Sequence, residues 1–228
     1  EADILSGKKL KRVTAHGNHL FYHWSGDRLI HVHLGLYGKF RIHRNPAPDP
    51  RGAVRLRLFG RERAFDLNGP TRCQLIDRKQ HRSVIARLGE DPLQDEACPE
   101  VVWQRISRSR GAIGSLLLNQ SIIAGVGNVY RAELLFLMGI DPMKPGTEIE
   151  RGQFDELWNL TVELLNTGVK YNRIITAHQR ADGKPLSRLK ATERLNIYKK
   201  KNCPSCGSPV SRWELANRRI YACRTCQQ

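Results

Sequence analysis

Between residues 20 and 59 apolar and polar positions alternate in short runs, as in His31-Val32-His33-Leu34 and Val54-Arg55-Leu56-Arg57-Leu58. A period of two sends successive side chains to opposite faces, so segments 20–24, 29–34 and 54–59 are predicted as antiparallel strands with one face buried. Pro46, Pro48 and Pro50 crowd into residues 45–52. Three prolines so close sustain neither a helix nor a sheet ladder, and the stretch reads as a loop.

After Asp91-Pro92 the spacing changes. Val101, Val102, Ile106, Ile113, Leu116 and Leu117 recur at three and four, as do Val129, Leu134, Leu135 and Leu137 beyond a glycine turn. Residues 154–165 read as another amphipathic helix, with Phe154, Leu157, Trp158, Val162 and Leu165 on one stripe. Residues 168–202 are polar and basic with a Gly183-Lys184-Pro185 turn, which predicts a loop leading to the last segment.

That last segment carries Cys203-Pro-Ser-Cys206 and Cys223-Arg-Thr-Cys226, separated by sixteen residues. Two Cys-x-x-Cys turns facing each other make a closed tetrahedral thiolate cage, the pattern of one structural zinc ion, with a pair of disulfides as the alternative. From Lys199 onward there are seven Lys or Arg against one acidic residue. Cys73 and Cys98 remain outside this set and are expected to stay reduced.

The whole chain of 228 residues has 38 basic and 22 acidic side chains, a formal charge of +16. Such a surface attracts polyanions, above all nucleic acid, with a salt-sensitive and sequence-independent affinity. No run of 18 apolar residues, signal-peptide pattern or membrane-type basic helix is visible, which argues against a membrane partner and for an intracellular protein. Five histidines lie between His16 and His33, and His31 with His33 fits the polar face of a strand rather than a second metal site.

Ile122-Ile-Ala-Gly-Val-Gly-Asn-Val-Tyr130 joins two helical segments. Its glycines permit a sharp turn, and Asn128 stands where an N-cap is expected, which would leave amides at the helix start aimed at an anion. Any helical hairpin could use these residue types, so the motif alone points only weakly to phosphate.

Taken with the four-cysteine hairpin ending in Cys-Gln, this motif resembles the formamidopyrimidine-DNA glycosylase and endonuclease VIII family of base-excision-repair enzymes. The resemblance covers nearly the whole chain. It implies an α+β multidomain protein: an antiparallel β-sandwich over 1–98, a helix-two-turn-helix domain over 99–196 and a zinc-finger β-hairpin over 197–228. It implies that Asn128, Arg218 at the finger tip and Tyr198 meet the DNA backbone, and that Cys203, Cys206, Cys223 and Cys226 hold one structural Zn2+. His33-Leu-Gly-Leu-Tyr-Gly38 is similar to the endonuclease VIII segment that fills the gap left by a flipped base, so Leu36 and Tyr37 match the wedge, with Gly35 replacing a polar residue. Unstacking a base costs a few kcal/mol unless something takes its place. Two core residues at a strand end are the plainer reading of that dipeptide.

Two departures affect catalysis. The family begins with a Pro whose amine attacks C1′ and a Glu that handles protons, whereas this chain opens on Glu1-Ala2-Asp3. The match starts partway into the β domain, so the polypeptide as it stands contains no catalytic residue of the family and is expected to be inactive until a Pro-Glu segment precedes it. Asn18, in Gly17-Asn18-His19-Leu20, stands where the family has a Lys. The expected function is a DNA glycosylase and AP lyase acting on oxidised bases, with pyrimidines favoured, in duplex DNA carrying damaged bases or abasic sites. The chain is expected to act as a monomer, in the nucleoid, the nucleus or a bacterial cytoplasm. The rival is a lesion- or structure-binding protein of the same fold without catalysis. An RNA-binding protein would share the basic charge but would have no use for Leu36 and Tyr37.

Overall fold

A computed structural model describes residues 2–5, 7–35, 37–177 and 183–228. The chain divides into two compact units, Glu1–Arg87 and Leu88–Gln228.

In the first unit the alternating runs become β1 (Leu10–His16), β2 (His19–Trp24), β3 (Arg28–His33), β4 (Lys39–Arg44), β5 (Val54–Phe59), β6 (Arg63–Asn68) and β7 (Arg72–Ile76). They form an antiparallel sheet in the order β1-β2-β3-β7 and another in the order β4-β6-β5. Leu20 pairs with Val32 and Tyr22 with Ile30, and this face joins Leu67, Phe40, Leu56 and Phe65 of the other sheet in one apolar core. The sandwich therefore follows from the period-two pattern, each sheet burying one face against the other.

The opposite face of the four-stranded sheet is a layer of rings. His19 stacks on His33 and on His31 with centroids 4.6 and 5.0 Å apart, Phe21 stacks on His31 at 4.8 Å, and His81 meets Phe21 edge-on at 4.5 Å. His31 is 1% exposed, so it does not lie on the polar strand surface expected from its alternation. It is covered from the side of helix α1 (Arg78–Ile85), which apolar spacing does not reveal because only Val84 of that helix is buried. A capping box starts α1: the Asp77 carboxylate accepts from the Gln80 amide at 2.7 Å, and Gln80 Oε1 accepts from the Asp77 amide at 2.9 Å.

The second unit holds α2 (Pro99–Ser107), α3 (Ile113–Leu116), α4 (Asn128–Leu137), α5 (Arg151–Tyr171) and the hairpin β8 (Ser211–Leu215) and β9 (Arg218–Ala222). Ile106, Ile113, Leu117, Leu134, Phe154 and Leu157 are central to its core. Helix α5 runs further than the sequence predicts and takes in Gly168, the first residue of the expected loop. A side chain there would come within 2.2 Å of the Tyr130 hydroxyl, so this glycine is a packing position inside a helix. The helix ends at Asn172, whose φ of 49° is the left-handed cap.

Candidate nucleic-acid interface

Helix α4 begins one residue earlier than expected: Gly127 is the N-cap, without a side-chain cap, and Asn128 is the first helical residue. The amides of that first turn have no intrahelical acceptor, and a side chain built on Gly127 would meet nothing within 4 Å, so the helix start is open. The turn before it is held from inside. Gln120 Oε1 accepts from the Gly125 amide at 3.0 Å and its Nε2 donates to the Val126 carbonyl at 2.7 Å, while Gly125 takes a φ of 90°. A glutamine replacing missing peptide partners is invisible to periodicity.

Freed from capping, Asn128 bonds elsewhere. Its Nδ2 donates to the Arg219 carbonyl at 2.9 Å, and its Oδ1 accepts from Arg131 Nη2 at 2.6 Å. Arg131 is fully buried and also donates to the carbonyls of Gly114 and Leu215, both at 3.1 Å, and Arg218, at 3.3 Å. Burial lowers its pKa to about 10, so it remains charged at neutral pH. One guanidinium thus fastens α3, the start of α4 and both sides of the hairpin turn, where Ala216 and Asn217 take φ of 54° and 56°. Two consecutive left-handed residues are the geometry of a two-residue hairpin turn. Arg218 and Arg219 follow it, and both side chains are exposed.

Glu133, also fully buried, accepts five hydrogen bonds: from the Thr176 hydroxyl at 2.5 Å, the Asn196 side chain and amide at 3.0 and 2.7 Å, and the Ile197 and Tyr198 amides at 2.9 and 2.7 Å. A buried carboxylate is tolerated when so many donors replace water. It fixes the segment that presents Tyr198, whose ring meets Tyr221 edge-on at 5.0 Å with Lys199 Nζ 5.6 Å away. Sequence pattern singles out neither Arg131 nor Glu133, because charged residues between the apolar positions of a helix read as its solvent face.

The four cysteines converge. Their sulfurs all lie within 4.8 Å of one another, with Cys203 to Cys226 at 3.9 Å and Cys206 to Cys223 at 3.5 Å. A tetrahedral ion with metal–sulfur bonds of about 2.3 Å needs sulfurs about 3.8 Å apart, so the set fits a metal and is too wide for two disulfides. Hydrogen bonds from Ser208 lower the Cys206 pKa to about 6, whereas the bond to Cys206 raises Cys226 to about 12. Four thiols this close ionise together only around a cation. The Cys-Gln ending ties the cage to the helical core. Gln227 Oε1 accepts from the Cys223 amide at 2.8 Å, and its Nε2 donates to the Ile140 carbonyl at 2.9 Å.

In the first unit Tyr37 is 85% exposed on the β3–β4 loop, and Leu36 lies outside the described residues. Gly35, at φ 65°, has the Thr71 hydroxyl 1.8 Å from where a Cβ would stand, which explains why no side chain replaces it. Asn18 is exposed in the β1–β2 turn, beside His19, whose pKa is lowered to about 4 chiefly by burial. Among the described residues no helix is long and apolar enough to cross a membrane.

Comparison with known proteins matches residues 1–74 to the formamidopyrimidine-DNA glycosylase N-terminal domain and residues 88–180 to the H2TH domain of the same enzymes. Endonuclease 8 1 of Mycobacterium tuberculosis is 43% identical over 232 residues, covering 99% of this chain and 87% of that protein. Formamidopyrimidine-DNA glycosylase of Syntrophomonas wolfei is 29% identical, covering 98% and 84%. The Lactococcus lactis Fpg bound to abasic-site DNA superposes with a TM-score of 0.79 at 23% identity, covering 97% of this chain and 83% of that one.

Proposed function

Because the chain belongs to the formamidopyrimidine-DNA glycosylase and endonuclease VIII family, we propose that it is a base-excision-repair glycosylase and AP lyase acting on oxidised pyrimidines in duplex DNA. One observation carries this reading: the open start of α4, whose Asn128 is locked by Arg131 to the hairpin bearing Arg218. Both side-chain atoms of Asn128 are oriented before DNA arrives, and its Nδ2 retains a second hydrogen for a phosphate oxygen. The first-turn amides favour the same anion, and Arg218 adds a charged contact. Tyr198 lies along the backbone, and Leu36 and Tyr37 occupy the space of the extruded base. The ion in the thiolate cage is zinc, which would fold the finger and take no part in bond breaking.

The covalent step rests with the N-terminal amine that the resemblance assigns to the family. Asn18 is the observation that favours a second reading, a lesion-binding protein without base excision, since a neutral amide puts no positive charge beside the sugar.

Asn128→Ala and Arg218→Ala should each weaken binding to damaged and undamaged duplex alike, by about tenfold, with Arg218→Ala lowering the salt slope by about one. A variant that loses only lesion discrimination and keeps its affinity for undamaged DNA would overturn the phosphate assignment. With a Pro-Glu segment in front, single-turnover cleavage of an abasic duplex should appear, and Asn18→Lys should speed excision of an oxidised pyrimidine. Absence of both activities would leave the non-catalytic reading; equal excision by Asn and Lys would show that position 18 is no handicap.

A further inference from the structure

The β2–β3 turn lies at the end of the four-stranded sheet away from the Tyr37 loop, one six-residue strand or about 20 Å distant. A pocket opens there between β1, β3 and the first turns of α1. Its walls carry Lys11, Arg12, Arg28, Arg78 and Arg82, together with the imidazoles of His23 and His81 and the edge of Trp24. The single carboxylate among its lining residues, Asp27, is bound to Arg78 at 2.5 Å. Lys11, Arg12, Arg28 and Arg82 have no carboxylate partner among the described residues, and the Trp24 Nε1 hydrogen is buried without an acceptor.

Like charges gathered from three elements repel one another unless a ligand neutralises them. Four unpaired cations exceed the charge of any single phosphate, and three are guanidinium groups, whose forked donors match phosphate oxygens in pairs. Burial and then Arg12 hold the His23 and His81 pKa values down, with Arg82 adding to the effect on His81. A bound anion would oppose the part due to the arginines.

We propose that this pocket is a second phosphate-binding site, separate from the lesion-reading loop and the α4 start, that takes two or more phosphate groups of one ligand at once. The backbone of a nucleic-acid strand and a free polyphosphate ester offer this same chemistry. A nucleic-acid strand is favoured because a DNA-binding protein already brings one close.

The test uses the whole chain and needs no catalysis, so it stands apart from the glycosylase reading. Proton NMR would follow the His23 and His81 ring signals as pyrophosphate, undamaged 30-base-pair duplex or polyglutamate is added, in the native protein and in a variant combining Lys11→Ala, Arg12→Ala, Arg28→Ala and Arg82→Ala. Both phosphate ligands should raise the titration midpoints in the native protein and not in the variant. The variant should also bind undamaged duplex with a salt slope smaller by two or more, at about 0.9 per lost phosphate contact. A response to pyrophosphate with none to duplex would keep the site and assign it to a free phosphate ester. Histidines that respond to neither phosphate ligand would overturn the proposal, as would a larger response to polyglutamate, which would give the pocket to an acidic protein.

Discussion

The start of α4 and the β3–β4 loop are both proposed to meet DNA, yet they are built in opposite ways. At the helix start every polar side-chain atom of Asn128 has a protein partner, and a fully buried arginine ties three elements together around it. On the loop, Tyr37 stands 85% exposed, and the turn is closed by the Gly38 amide donating to the Leu34 carbonyl at 3.0 Å. The difference follows from what each part must meet. A phosphate is the same at every step of a duplex and rewards a rigid socket, because orienting donors in advance removes the entropy cost of ordering them on binding. A gap left by a flipped base exists only after the base has moved, so the residues that fill it can wait in solvent.

The largest break in that comparison should come from the cage. Cys223→Ser removes a buried ligand, and the hairpin that presents Arg218 should unfold with loss of the metal, weakening duplex binding by a hundredfold or more. Metal analysis and titration of undamaged duplex would show it; metal-free native protein with full affinity would refute it. Arg131→Leu should come next. It leaves the carbonyls of Gly114, Leu215 and Arg218 short of donors in a buried place, at a cost of about 3 kcal/mol in chemical denaturation. A loss below about 1 kcal/mol would mean that the socket is held by packing alone.

On the loop, Tyr37→Ala should leave stability unchanged, and Leu36→Ala and Tyr37→Ala should each lower base flipping several-fold, read by 2-aminopurine fluorescence beside an abasic site. An unaltered signal would return both residues to an ordinary strand end. The smallest effect should be one of pH. His19 and His31 have pKa values lowered from 6.5 to about 4, first by burial, so the unfolded chain binds more protons than the folded one between these values. The stability they contribute is complete above pH 6.5 and is lost as pH falls towards 4. Chemical denaturation should show the first unit losing stability over that range, and His31→Phe should flatten the profile.

Much of this molecule could be read in its sequence, and the reason differs from part to part. Val54-Arg-Leu-Arg-Leu58 had to be a strand with one buried face, because its period allows nothing else. Two Cys-x-x-Cys pairs announced a cage, because thiolate spacing is set by the reach of a single turn. Periodicity failed where polar groups are buried. Arg131, Glu133 and Gln120 look like ordinary surface positions of a helix or loop, and only the packed structure shows that they meet backbone carbonyls or amides left over at element ends. Helix α1 stayed hidden because its apolar face is a single valine and its partner surface is a layer of imidazoles. What the sequence determined by itself was therefore whatever is repeated or local: strand period, helix stripe, cysteine spacing, net charge. Tertiary structure decided which isolated polar residues become buried hubs, since a hydrogen bond to a distant main-chain atom has no period and leaves no mark on the residues beside it.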